Sequence, residues 1–137
     1  MNDCEFMGEE RRRFVRLERS LLVKFALAGD VGGKVYTAIT SNISQRGLCM
    51  EFIIDAQELV PRLKVRETLV NVTLKLEEDA DPIQLRARVE WLQELSPGSG
   101  AWSIGLSFQN LASVTNERIR AFILRSFTEG QGRIRNY

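Results

Sequence analysis

Apolar and polar residues alternate through the middle of the chain. In residues 83–92, IQLRARVEWL, every second residue from Ile83 to Trp91 is apolar. A period of two is typical of a β-strand with one buried and one solvated face. Related extended runs occur at 21–28, 34–40, 48–54, 68–76 and 102–108. Six short strands joined by short turns predict an all-β fold, a six-stranded antiparallel barrel.

The period of the apolar residues changes near the C-terminus. Residues 113–128 carry an apolar stripe at helical spacing, formed by Ile119, Phe122, Ile123 and Phe127. Ser113 or Thr115 can cap the start of a helix, and Gly130 is a suitable stop. We therefore expect a C-terminal helix that packs against a mouth or a flank of the barrel.

The strand pattern also predicts which side chains face inward. Trp91, Trp102 and Phe108 occupy the inward phase of their strands, so we expect core packing rather than an exposed stacking surface. Arg86 and Arg88 occupy the opposite phase. They are expected to form a solvated strand face.

Composition removes several kinds of chemistry. The chain of 137 residues has no histidine, which excludes Ser-His-Asp and Cys-His catalysis and every histidine-based metal site. Cys4 and Cys49 form no CxxC motif and are expected to be free thiols. We expect neither enzymatic activity nor a cofactor or metal.

Targeting signals are also missing from the sequence. No run approaches the roughly 20 apolar residues of a membrane span, and the start MNDCEFMGEERRR has no apolar core of a signal peptide. These features predict a cytoplasmic protein without membrane insertion.

Positive charge is concentrated near the N-terminus. The net charge is only +1, yet residues 11–19, RRRFVRLER, hold five arginines and one carboxylate. The planar guanidinium fork matches phosphates and the O6/N7 edge of guanine. The pattern divides the chain into a leader at 1–10, a domain at 11–128 and a tail at 129–137, which is expected to be flexible.

Two short motifs belong together. Arg11, Arg12 and Arg16 form RRxxxR, and residues 42–47, NISQRG, form [D/N]xSxxG. This pair, ahead of and within a small barrel sequence, resembles the PilZ domain family of bacterial cyclic di-GMP receptors. The resemblance runs from about residue 10 to residue 127 and includes the RARVEWL and WSIGLSF segments.

The resemblance implies roles for the arginines. Arg12 and Arg16 would contact guanine O6/N7 and phosphate. Arg11, directly before the motif, implies an intercalated ligand dimer, since it would contact the second molecule. The alternative is that Arg11 only adds to the local positive field. Arg133 and Arg135 in the tail could close over the ligand, a role that stays open.

The second motif would supply the polar contacts. By resemblance, the side-chain oxygens of Asn42 and Ser44 accept from guanine N–H groups, and Gly47 provides a positive-φ turn or a close backbone approach. Many members of the family have aspartate at the position of Asn42. The motif allows both residues.

The function implied is a cyclic di-GMP receptor or adaptor that changes conformation on binding and signals to an unidentified downstream protein. One alternative is a protein-interaction module of the same fold that binds no nucleotide. Another is a small barrel that binds single-stranded nucleic acid, which would need exposed stacking aromatics. Because the alternation places the aromatics inside, no nucleic-acid partner is expected.

Overall fold

The computed structural model describes residues 15–30, 32–78 and 80–129, and the backbone of 133–135. Its eight strands are β1 Arg16–Glu18, β2 Leu22–Leu27, β3 Tyr36–Ile43, β4 Gly47–Phe52, β5 Leu69–Leu74, β6 Ile83–Glu94, β7 Trp102–Gln109 and β8 Arg133–Arg135. A short helix, α1, spans Ala56–Leu59 and continues as one 3₁₀ turn, Val60–Arg62. The long helix α2 spans Ser113–Glu129.

Six of the strands form a closed antiparallel barrel. The order is β2-β5-β6-β7-β4-β3, and a β2–β3 pairing closes the ring. The predicted six-stranded barrel with a C-terminal helix is confirmed. Two short strands, β1 and β8, extend the sheet beyond β3. Strand β8 lies in the segment expected to be a flexible tail, and Arg135 pairs with Arg16 across the two backbones.

The barrel interior follows the alternation of the strands. In β7, Ile104 and Leu106 are fully buried, and their β4 partners Met50 and Leu48 are fully buried as well. Helix α2 adds Ile119, Phe122 and Ile123 to the same core. Apolar burial of this kind contributes about 25 cal/mol per Å² and is the main stabilising term.

The arginine-rich segment is fixed to the barrel at its C-terminal end. Leu17 is fully buried and pairs with Ile43 of β3. The Thr40 hydroxyl donates to the carbonyl of Arg19 at 2.5 Å and accepts from the amide of Leu21 at 2.8 Å. Strand β1 therefore has a defined position beside the end of β3.

A β-bulge in β6 changes the phase of that strand. The register shifts between Val89 and Trp91, so that Val89 pairs with Leu106 but Trp91 pairs with Gly105. Leu106 is in the core, and its neighbour Gly105 therefore faces out. The predicted inward position of Trp91 is wrong, because the residue inserted at the bulge turns the indole to the outer face.

Trp102 and Phe108 pack against the core as expected, although both are only partly buried. The expectation for the cysteines needs correction. Cys49 is not the free thiol expected from the sequence but takes part in a disulfide. The chain's other cysteine, Cys4, lies outside the described residues.

Candidate functional site

The turn between β3 and β4 holds the second sequence motif in a compact form. The Ser44 amide donates to the carbonyl of Gly47 at 2.9 Å, and the Ser44 hydroxyl accepts from the amide of Arg46 at 3.2 Å. Ser44 is buried. Gly47 begins β4 and is not among the positive-φ glycines of the described residues, so the positive-φ turn is not the reason for a glycine here.

The structure brings part of the first motif to this turn. Arg16 Nη1 donates to Asn42 Oδ1 at 3.1 Å, and the two side chains are 2% and 4% exposed. Pairing of β1 with the end of β3 produces this contact, because Leu17 lies opposite Ile43. Two motifs that are 26 residues apart in sequence therefore meet at one point.

The other predicted arginines cannot be placed in the same way. Arg11 and Arg12 lie outside the described residues. So do the side chains of Arg133 and Arg135, although the backbone of β8 is paired with β1. The binding roles of these four residues stay predictions.

Beside the turn, a row of paired residues crosses four strands of the barrel. Asn42 pairs with Cys49, Cys49 with Gly105, and Gly105 with Trp91, in one row across four strands. A Cβ atom at Gly105 would lie 2.1 Å from Trp91 Nε1, so the indole rests directly on the glycine backbone. Cys49 and Trp91 form a small buried cluster separate from the main core.

A polar cluster that was not predicted from the sequence lies beside this row and consists of Arg88, Glu90 and Ser107. Glu90, on the bulge, accepts from Arg88 Nε at 2.8 Å and from the Ser107 hydroxyl at 2.5 Å. Ser107 pairs with Gly47 of the motif on one side and with Arg88 on the other. The sequence does contain a signal for this ion pair, because Arg88 and Glu90 are two residues apart in a strand and so fall on the same face. The alternation is instead interpreted as placing Arg88 on a solvated face.

Among the described residues, Lys34 and Arg62 have raised pKa values, and both lie away from the motif turn. Hydrogen bonds from Lys34 to Glu58 and Asp55 raise the lysine pKa, and a hydrogen bond to Asp30 raises the pKa of Arg62. Lys34 precedes the start of β3, whereas the motif turn follows its end. These ion pairs fasten α1 and the 3₁₀ turn to the barrel and belong to a different part of the molecule.

The described residues contain no cluster of three or more potential metal ligands. Among them there is also no helix that is both long and apolar enough to cross a membrane.

Comparison with protein families gives a match to the PilZ domain over residues 10–125. The chain belongs to the PilZ domain family. A search of curated proteins finds no matching relative.

Solved structures with this fold include several ligand complexes. The chain is similar to the PilZ domain of YcgR from Escherichia coli with c-di-GMP, at 13% identity and a TM-score of 0.65, covering 88% of this chain and 95% of that one. It is similar to the K. pneumonia MrkH–c-di-GMP complex at 18% identity and a TM-score of 0.69, covering 88% and 54%. It is also similar to the Bacillus subtilis inhibitor of motility MotI/DgrA, at 17% identity and a TM-score of 0.65. That match covers 86% of this chain and 52% of MotI/DgrA. The chain thus spans about half the length of MrkH and MotI.

Proposed function

We propose that this protein is a cyclic di-GMP receptor that binds its ligand on the outer face of the barrel, beside the β3–β4 turn. The observation that carries the proposal is the hydrogen bond between Arg16 and Asn42, which joins the two family motifs. Membership of the PilZ family and the c-di-GMP complexes of YcgR and MrkH support it.

The ligand's chemistry fits the residues available. Cyclic di-GMP carries two phosphates and two guanines, so a receptor needs guanidinium groups for the anions and polar groups for the base edges. Arg12 and Arg16 supply the first, and Asn42 and Ser44 supply the second. A bidentate contact between arginine and guanine contributes about 1–3 kcal/mol of base discrimination. Arg11 would contact a second ligand molecule in an intercalated dimer.

The arginine-rich segment, residues 11–19, also contacts helix α2 through Arg19. The Arg19 guanidinium lies 5.1 Å from the ring centroid of Phe122, and its Nη1 donates to Ser126 Oγ at 3.1 Å. Movement of the arginine segment on binding would therefore change contacts with α2. The helix exposes Leu124 and Phe127, which are 51% and 60% accessible. In the proposed mechanism these side chains form the surface that a downstream protein reads.

A second candidate is an interaction module of the same fold that binds no nucleotide. One observation favours it: Arg16 is only 2% exposed and already contacts Asn42, as a purely structural arginine would. Loss of Arg16 would then lower stability without affecting any ligand.

Calorimetric titration with cyclic di-GMP, beside GTP and cyclic GMP, separates the two candidates. Arg12→Ala is the test variant, and Arg62→Ala is the control, since it removes an equal charge near the start of β3. We expect selective binding by the wild type and by Arg62→Ala, a loss of at least about tenfold in Arg12→Ala, or about 1.4 kcal/mol, and two ligands per chain. If the folded wild type does not bind cyclic di-GMP, the receptor proposal is contradicted and the nucleotide-independent module is favoured.

A further inference from the structure

Glu90 is a buried carboxylate that neither family motif explains. Its residue exposure is 8%, on the outer face of the barrel rather than in the core. Burying a carboxylate is costly unless it is paired. Here Arg88 forms the ion pair and Ser107 adds a hydrogen bond, so the charge is stabilised in place.

The contacts of Glu90 leave part of its carboxylate for a ligand. Within the described residues, the hydrogen bonds from Arg88 and Ser107 both go to Oε2. A carboxylate has about four acceptor positions, so Oε1 retains its own. The Arg88 side chain is 43% exposed, and its Nε is the atom paired with Glu90. The donors of a half-exposed arginine therefore lie beside the acceptors of a carboxylate that is 11% exposed.

This pair is complementary to one edge of guanine. The Watson–Crick edge of guanine places the O6 acceptor next to the N1–H and N2–H donors. Arginine offers only donors, and an ionised glutamate offers only acceptors. Adenine lacks the N1–H donor, and hypoxanthine lacks the N2 amine, so an acceptor at this place favours guanine over both.

The position of Glu90 suits the second base of the ligand. Asn42 and Trp91 are the ends of one row across β3, β4, β7 and β6, and Glu90 directly precedes Trp91. Three strand spacings correspond to about 14 Å. Cyclic di-GMP carries its two guanines at opposite ends of its ring. One base beside Asn42 and Ser44 would therefore leave the other to be read farther along this face.

We propose that Glu90, held by Arg88 and Ser107, reads the Watson–Crick edge of the second guanine and adds to the specificity of the site for guanine. The inference rests on the proposed receptor function. It adds a base-reading contact outside both family motifs. Arg88 also balances the charge of Glu90, so the carboxylate does not repel the phosphates of the ligand.

The test is calorimetry with cyclic di-GMP, cyclic di-IMP and cyclic di-AMP on wild type, Glu90→Gln and Glu51→Gln. Cyclic di-IMP differs only by loss of the N2 amines. Glu51 is the matched control, an exposed carboxylate on strand β4, which β7 separates from β6. We expect wild type and Glu51→Gln to prefer cyclic di-GMP over cyclic di-IMP by at least about tenfold. In Glu90→Gln, affinity for cyclic di-GMP falls about tenfold and the preference over cyclic di-IMP shrinks.

Unchanged affinity and unchanged preference in Glu90→Gln would overturn the inference while leaving the receptor function intact. Failure of the wild type to bind any cyclic dinucleotide would overturn both. If Glu90→Gln does not fold, the wild type decides alone: equal affinity for cyclic di-GMP and cyclic di-IMP contradicts an N2-reading carboxylate.

Discussion

At the scale of single residues, Thr40 holds the arginine segment in place. It is 2% exposed, and its hydroxyl contacts the backbone on both sides of Ser20, at Arg19 and Leu21. These two bonds fix the connection between β1 and β2, and with it the approach of Arg16 to Asn42. The residue lies outside both motifs, and its importance follows only from the structure.

Thr40→Val tests this connection. Valine has nearly the same shape but leaves a carbonyl and an amide without their partner, which costs about 1–3 kcal/mol. We expect the free energy of unfolding to fall by that amount in urea denaturation, and cyclic di-GMP affinity to fall as well. Thr40→Ser keeps the hydroxyl and serves as the control. Equal stability of Thr40→Val and wild type would show that water replaces both bonds at no cost.

At the scale of elements, β6 shows what alternation can and cannot predict. The pattern from Ile83 to Val89 correctly indicates a strand with one apolar face. It continues without interruption to Trp91, and nothing in it marks the extra residue of the bulge. Because one inserted residue reverses the phase of everything after it, the sequence places the indole inside and overlooks the role of Glu90.

The contact between β6 and β7 at this bulge gives a second stability prediction. Gly105→Ala places a methyl group against the Trp91 indole, where the atoms would be 2.1 Å apart. The indole has to move, and overpacking of this kind costs about 1–3 kcal/mol. We expect a lower unfolding midpoint and a changed tryptophan fluorescence spectrum.

Ser103→Ala is the control for this substitution. Ser103 lies on the same strand and is fully buried, and its hydroxyl has no hydrogen-bond partner among the described residues. Its removal should leave stability unchanged or slightly higher. If Gly105→Ala retains both the midpoint and the spectrum of the wild type, the indole does not rest on this glycine.

At the scale of the whole molecule, each barrel strand carries its own pattern, which is why the six-stranded barrel and the helix could be predicted. Strands β1 and β8 have three residues each and are too short to show alternation. Likewise, the motif turn could be recognised from residues 42–47. The contact of Arg16 with Asn42 and the link from Arg19 to α2 depend on long-range pairing, which no local pattern reveals.

The motif turn and the ion pairs of Lys34 lie at opposite ends of β3. The motif turn, β1 and the bulge of β6 gather at one end, while Lys34, α1 and the 3₁₀ turn lie at the other. Ligand binding at the first region should therefore leave the second unchanged. Helix α2 also contacts the arginine-rich segment, since its Phe122 packs against Arg19.

An amide NMR titration with cyclic di-GMP tests the central claim most directly, since it reports where on the barrel the ligand binds. We predict saturable shifts for the amides of 42–47, 88–91 and β1, with smaller shifts in α2 and none in Ala56–Leu59. Saturable shifts confined to the region of Lys34 and α1, or no shifts from a folded sample, would contradict a cyclic di-GMP site at the β3–β4 turn.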